Sequence, residues 1–473
     1  MKKQLLCLVL LLPIITVGQI SEVKNINDSG SSGSFPSSLT VFNNKIYFAA
    51  DDSSGSNSPG GADLGKELWI SDGTGGGTSF VKDLRSGSDS STPNFFFELN
   101  NTLYFSANTG SGNVLFTTDG TDTGTTQTSF PFIFNQTELN GKVYFVRTTD
   151  SNKLYEFDGS NANIVPNSGT GTASILGATI TTFKDKIICY MDYSEDEATI
   201  GRELYEYNPV SETFSLIKNV TGDASDASIS NFTVLGDELY FEALDSLWKT
   251  DGTESGTMAV TEASALAGIT SLYAWKGLLF FEGDNGTSED QLWSYNPSNG
   301  VLTNVSNLSS STVTGGDNHD PSDYAANGDY LYYAGKVSDN SVKYLFRTDG
   351  TTTTRLDSTI GSIDDLAVLN NVIYFEGSDG TTGNELYSLD TTTLSSKKTQ
   401  REIVQVYPNP ATDFIKVPEN LKNSEYAIYS TNGQIVKKGL ISSNEIKLDL
   451  SSGLYLLKIK TDISILTKKL IVE

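Results

Sequence analysis

Histidine and cysteine are almost missing from this 473-residue chain: His319 is the one histidine, and Cys7 and Cys189 are the only cysteines. Structural zinc sites draw on several His or Cys ligands, and Ser or Cys nucleophiles are usually paired with a histidine base. The chain is too poor in these residues for either chemistry. His319 itself sits in the acidic, glycine-rich stretch "TGGDNHDPSDY" and reads as a solvated side chain. Also missing are a long 3.6-period apolar stripe and a glycine-rich phosphate loop in a strand–helix context. Basic residues are scarce, 32 against 58 acidic, for a net charge of −26. Most of that charge lies before residue 401. Residues 19–400 carry 20 basic and 50 acidic side chains, about −30. Such a surface repels nucleic acid and anionic lipid.

One long apolar run is present, and it stands at the start. "MKKQLLCLVLLLPIITVGQ" has two lysines, an apolar stretch and a small-residue end, which predicts a secretory signal peptide over 1–18 with cleavage between Gly18 and Gln19. No other segment is apolar enough to span a bilayer, so the mature chain is expected to have no transmembrane segment. Without Cys7 only Cys189 remains, and no intramolecular disulfide can form. An exported chain of this kind must be held by packing, metal or both.

What the sequence has in abundance is glycine, 43 residues, with Ser, Thr, Asn and Asp between short apolar runs. This is the composition of an all-β protein with many turns. Two patterns alternate through residues 41–390. The first runs "NNKIYFAA", "NNTLYFSA", "NGKVYFVR", "KDKIICYM", "GDELYFEA", "KGLLFFEG", "GDYLYYAG", "NNVIYFEG", with sixth residues Phe48, Phe105, Phe145, Cys189, Phe241, Phe281, Tyr333 and Phe375. The second follows each time: "ELWISDGT", "VLFTTDGT", "KLYEFDGS", "ELYEYNPV", "SLWKTDGT", "QLWSYNPS", "YLFRTDGT", "ELYSLDTT". Eight copies at a mean spacing of about 47 residues mark a repeat architecture. Each copy has room for four short strands, the content of a β-propeller blade. Runs such as "KIYFAA" are apolar at consecutive positions, so both strand faces should be buried, as between stacked blades. Cys189 then reads as a small buried hydrophobe in place of a core aromatic.

The expected fold is therefore an all-β propeller over 19–395, with eight blades. Seven is the alternative if the irregular third repeat forms no full blade. The eighth repeat lacks a fourth strand, and Val23–Ile26 is predicted to supply it and close the ring. Asp72 invites a catalytic or metal reading, but the same position holds Asp-Gly five times, Asn-Pro twice and Asp-Thr once. All are turn residues, needed in every blade, so Asp72 is predicted to be a hairpin corner.

Calcium takes carboxylate and carbonyl oxygens. Its candidate ligands are Asp51, Asp52 and Asp63 in one loop and Asp192, Glu195, Asp196 and Glu197 in another. None has EF-hand spacing, and solvated loops between the second and third strands of a blade are the competing reading. No other cofactor is expected.

"ELWISDGTGGGTSFVKDL", with copies at "SLWKTDGTESGT" and "VLFTTDGTDTGT", resembles the ELWxxDGT repeat family of exported bacterial proteins over about residues 20–395. The resemblance implies a propeller-like fold and no catalytic residues. After a polar linker over 396–403, residues 404–473 form a compact β series, expected to be a small Ig-like β-sandwich of seven short strands. Tyr407, Pro408, Asn409 and Pro410 in "VYPNPATDF", Asn432, Gly433 and Gln434 in "STNGQIV", and Gly453 and Tyr455 in "SSGLYLLKIK" look like the motifs of the type IX secretion system type A sorting domain. That resemblance implies Sec export to the periplasm, recognition by the type IX machinery, and release or attachment at the cell surface. Binding or adhesion to an extracellular glycan or protein is the preferred role. A carboxylate-dependent enzyme acting on extracellular polysaccharide, or a structural surface component, are the alternatives.

Overall fold

Each repeat of the sequence becomes one antiparallel module of four strands in simple up-and-down order. The computed structural model describes residues 20–29, 31–53, 56–147, 150–166, 174–192, 200–286, 290–307, 318–338, 341–391, 406–418, 421–422, 424–431, 433–460 and 465–473. The predicted leader with its Gly18–Gln19 cleavage point, Glu195, Asp196, Glu197, Asn432 and the linker 396–403 lie outside these residues. The chain divides into two units, Met1–Leu394 and Ser395–Glu473.

In the first module the strands are Ser37–Phe42, Lys45–Asp51, Lys66–Ser71 and Ser79–Lys82. The third repeat, irregular in sequence, still makes four strands, at Thr137–Leu139, Lys142–Arg147, Lys153–Phe157 and Ala162–Ile164. The two sequence patterns are the second and third strands, and they pair in the same register in all eight modules. Phe48 faces Trp69, Phe105 faces Phe116, Phe145 faces Tyr155 and Cys189 faces Tyr205. Phe241 faces Trp248, Phe281 faces Trp293, Tyr333 faces Phe346 and Phe375 faces Tyr387. Every first member of these pairs is fully buried, Cys189 included.

The last module consists of Gly361–Leu369, Val372–Ser378, Asn384–Asp390 and, from the opposite end of the unit, Ile20–Lys24. Ile20 pairs with Leu389 and Glu22 with Tyr387. The closing strand thus starts three residues earlier than the expected Val23–Ile26, because Ile26 leaves the sheet to become a core residue at 0% exposure. The seventh and eighth modules are joined into one sheet by a single pair, Tyr344 with Gly361.

Burial of both strand faces follows from how modules stack. Lys45–Asp51 is buried at five consecutive positions. Eight hydrophobic clusters each draw on two successive modules, beginning with Tyr47, Ile70, Leu103 and Phe105 between the first and second. The eighth cluster joins Ala367, Leu369, Tyr374 and Leu386 of the last module to Ile26, Phe48 and Trp69 of the first. This is an all-β unit of stacked four-stranded sheets like the blades of a propeller.

The corners behave as predicted. Asp72 Oδ1 accepts from the Thr74 N–H (2.9 Å) and hydroxyl (2.7 Å), and Thr74 in turn accepts from the Gly77 N–H. Asp119 and Asp251 repeat this bond for bond. The asparagines of the Asn-Pro copies make the same two-residue reach, Asn208 to the Val210 N–H and Asn296 to the Ser298 N–H. Gly73, at φ 94°, serves a second purpose: a Cβ there would overlap the Tyr374 hydroxyl of the last module. The turn glycine therefore also sets how closely modules approach.

The second unit has six strands among the described residues rather than seven. Four form one sheet, in the order Ile435–Leu440, Glu425–Ser430, Gly453–Lys460, Ile465–Val472, and Phe414–Lys416 pairs with Glu445–Lys447 in another. Ile415 and Ile446 of the small sheet share one core with Ile428, Leu457 and Leu470 of the large one.

Candidate functional site

The modules keep their cores nearly uniform and vary one backbone position. Two residues before the residue that faces the second strand's Tyr47 or its equivalent, the first strand bulges into positive φ. The residues there are Ser38 (59°), Phe95 (51°), Asn135 (46°), Asn231 (58°), Ser271 (53°), Asp323 (53°) and Asp365 (56°). Positive φ is uncommon for a residue with a side chain and costly for Phe. Its recurrence at one register position makes the bulge a built feature that re-aims a side chain. The first strands of neighbouring modules also bond to each other near this level. Thr137 and Thr182 hydroxyls meet at 2.8 Å, and the Thr233 hydroxyl donates to Leu272 O at 3.1 Å. The Asp365 carboxylate accepts from the Ser38 and Leu39 N–H groups, joining the last module to the first.

The character of these positions changes from module to module. In the second module it is aromatic: Phe95 packs against Phe132 and Phe134, in the segment entering the third module, at 5.8 and 5.9 Å between centroids, all three partly exposed. In the seventh and eighth modules it is acidic, at Asp323 and Asp365. Burial, together with the neighbouring Asp323 carboxyl, raises Asp364 above the usual carboxylate range. Asp364 lies opposite Glu376 in the sheet. Burial pushes Glu376 and Glu282 up to about 7 and Asp365 up to about 6. Lys66 approaches this group, with its own pKa lowered by burial despite Glu376 and Asp365 nearby. Lys343 donates to the Ser322 hydroxyl at 2.8 Å and pairs with Asp320 at 3.3 Å.

A second set of buried carboxylates comes from the Glu of the "ELW" and "ELY" copies. Glu385, at 0% exposure, accepts from the Ile26 N–H (2.8 Å), the Asn27 N–H (3.3 Å), and the Ser34 N–H (3.1 Å) and hydroxyl (2.6 Å). Glu67 holds Leu84 and Ser91, and Glu203 holds Val220 and Thr221, in the same manner. In the sixth module Gln291 stands at this position and accepts from the Ser306 hydroxyl at 2.7 Å. Each side chain ties the segment leaving its own module, or the one entering the next, to the third strand. In sequence this Glu recurs in only three of the eight copies, at Glu67, Glu203 and Glu385.

These carboxylates give stability an unusual pH dependence. Burial outweighs the hydrogen bonds and lifts Glu67 and Glu385 to about 7, as it does Glu282 and Glu376. An unfolded chain ionises them near 4.3. Between roughly those limits the folded protein holds protons that the unfolded chain has released, so stability falls as pH rises through the window. The corner aspartates, such as Asp72, are held below the usual carboxylate range by the Thr74 bonds and act only at lower pH. The melting temperature should be higher at pH 5.5 than at pH 8; a rise from pH 5.5 to 8 would contradict this assignment.

The four described calcium candidates, Asp51, Asp52, Asp63 and Asp192, form no ligand cluster. Asp52 is buried and accepts from the Ser58 N–H, while Asp51 senses Lys66 and the exposed Asp63. Asp192 is buried beside Arg202 at 3.6 Å. Among the described residues no group of three or more His, Cys, Asp or Glu is placed to hold a metal. His319 corrects the sequence reading: it is fully buried, not solvated. Its Nδ1–H donates to Lys336 O at 2.6 Å and its Nε2 accepts from the Tyr333 hydroxyl at 3.0 Å, and burial lowers its pKa to about 4. It occupies the backbone position that Ser34 and Ser91 hold where the chain enters other modules.

The sorting-motif residues do structural work in the second unit. The Asn409 amide donates to Lys469 O and accepts from the Ile471 N–H, both at 2.8 Å, fastening "YPNP" to the last strand. Gly433, at φ 81°, and Gln434 close the hairpin onto Ser430. Gly453 opens its strand and the Tyr455 hydroxyl donates to Ser451 O at 2.8 Å, while Tyr407 is 57% exposed.

Residues 405–473 match the secretion system C-terminal sorting domain. This domain directs type IX export, to the cell surface or the medium. No helix of the described residues is long and apolar enough to cross a membrane. No curated protein matches the chain. Among solved structures, PorZ of Porphyromonas gingivalis, a surface component of the type IX system, is 14% identical with a TM-score of 0.39, covering 91% of this chain and 64% of that one. The extracellular domain of the putative one-component system BT4673 from B. thetaiotaomicron is 10% identical with a TM-score of 0.41, covering 96% and 69%. This chain thus spans under two thirds of the PorZ chain.

Proposed function

We propose that residues 19–395 form a closed eight-bladed propeller of the ELWxxDGT type that binds an extracellular glycan or protein. Residues 404–473, a small Ig-like sandwich, deliver it through the Sec and type IX routes. One observation carries the binding reading. At a single bulge position seven of the eight modules present Ser38, Phe95, Asn135, Asn231, Ser271, Asp323 and Asp365, while the paired core positions stay almost invariant. A scaffold that repeats its interior and diversifies one aligned set of side chains is arranged as a recognition surface, with an aromatic side for apolar faces and an acidic side for hydroxyl or amine groups. The enzyme reading has less support, since His319 is fully buried with both ring nitrogens hydrogen-bonded.

The test is a glycan array with the purified exported protein, with and without calcium, scored for both binding and product release. Binding that Phe95→Ala or Asp323→Ala weakens at unchanged melting temperature is the expected result. Release of shortened product would move the protein to the enzyme class.

A further inference from the structure

The outward face of the four-stranded sheet in the second unit differs from the rest of this acidic chain. Alternate residues of a strand share a face, and Ile428 and Leu457 define the inward one. Register therefore sets Tyr429 beside Ile435, and Glu425 beside Leu440, on the outward side. Lys438, Lys458 and Lys460 stand on the same side, against the single acid Glu425. Leu440 is 63% exposed and Ile435 53%. Lys458 Nζ lies over the Tyr429 ring at 5.0 Å. The strand Ile435–Leu440 is also the edge of its sheet, with Glu425–Ser430 as its one neighbour. An exposed apolar edge strand invites another strand. Of the sixteen large hydrophobic residues exposed among the described residues, six belong to this small unit, and register places four of them, Ile435, Leu440, Leu454 and Leu456, on this face.

We infer that this face and its edge strand are where a protein of the export machinery docks, through an acidic, apolar-lined surface that adds a strand to Ile435–Leu440. The inference rests on the sorting reading of the domain. A second copy of the chain docked through the same face would set lysine against lysine, which is repulsive. An anionic lipid surface would satisfy the lysines but leave the edge backbone unpaired, whereas strand addition satisfies both.

The experiment uses the full-length precursor in its own secreting cell, with fractions of periplasm, surface and medium compared. Lys438→Glu with Lys458→Glu should lower surface and medium delivery at least ~10-fold through like-charge repulsion. Leu440→Asp, at an exposed site, should do the same, while Lys438→Arg with Lys458→Arg delivers normally. The melting temperature of each purified variant should match that of the unsubstituted protein. Normal delivery of the Glu and Asp variants overturns the docking face. Deleting residues 404–473 separates the two levels: if that chain still reaches the surface, the sorting reading itself fails. If the deletion blocks export and the face variants do not, only the docking face is wrong. Delivery loss that tracks lost binding to vesicles of anionic phospholipid would assign the face to lipid and overturn the protein partner.

Discussion

Deleting residues 20–27 should lower the melting temperature of the exported protein by ~10 °C or more, the largest effect expected of any short deletion here. Three losses combine. The ladder from Ile20 to Lys24 leaves the last module with three strands and a bare edge along Asn384–Asp390. Ile26 is fully buried in the cluster joining last and first modules, and emptying a buried Ile site costs about 2–5 kcal/mol. Glu385 loses the Ile26 and Asn27 donors and becomes a buried carboxylate short of partners. The exposed edge should also promote association at high concentration. Thermal melting followed by far-UV circular dichroism, with light scattering, reads both effects. An unchanged melt would mean that the N-terminal strand does not close the unit.

Glu385→Ala is the point substitution with the largest expected cost. It leaves the N–H groups of Ile26 and Asn27 without this acceptor in a fully buried place, and strips the Ser34 hydroxyl of its 2.6 Å bond, while the Ser34 N–H keeps Asn384 O at 2.8 Å. Each stranded buried donor costs about 1–3 kcal/mol, partly offset by no longer burying a charge. A net loss of ~3 kcal/mol or more is expected, read from chemical denaturation. Glu385→Gln should cost clearly less, because Gln291 fills the equivalent place in the sixth module and accepts from Ser306. It should also flatten the fall of stability with rising pH, since one of the groups lifted to about 7 is gone. If Ala and Gln behave alike, neither the volume nor the acceptor oxygen that Gln retains carries the clamp, and this account of its hydrogen bonds fails.

The fold was legible because the interior repeats. Each "IYF"-type run and the "ELW"-type run after it are facing strands, so eight copies of two words specify eight pairs such as Phe48 with Trp69. The corner role of Asp72 was equally readable, since a turn is needed in every module and Asp and Asn supply it by one mechanism. The clamp was harder to see. Glu recurs at only Glu67, Glu203 and Glu385, with Val114, Lys153, Ser246, Gln291 and Tyr344 elsewhere. Its partners lie at 24 residues' distance for Glu67 and 359 for Glu385, beyond any local pattern. The bulge positions share a backbone conformation and no residue type, from Phe95 to Asp365, so composition could not mark them. His319 misled for a related reason. Its neighbours are those of a solvated loop, yet its register position is the buried one held by Ser34 and Ser91.

That the two ends of the first unit meet in one sheet is tested most directly by a single cross-link. Ser21 and Ser388 are register partners with hydroxyls 3.4 Å apart, and Cys189 is buried and out of reach. Facing strand residues have the Cα separation that a disulfide needs. In the Ser21→Cys, Ser388→Cys protein, mild oxidation should close the bond in nearly all molecules, seen as faster migration on a non-reducing gel and a higher melting temperature. Two thiols that stay free in the folded protein would contradict ring closure.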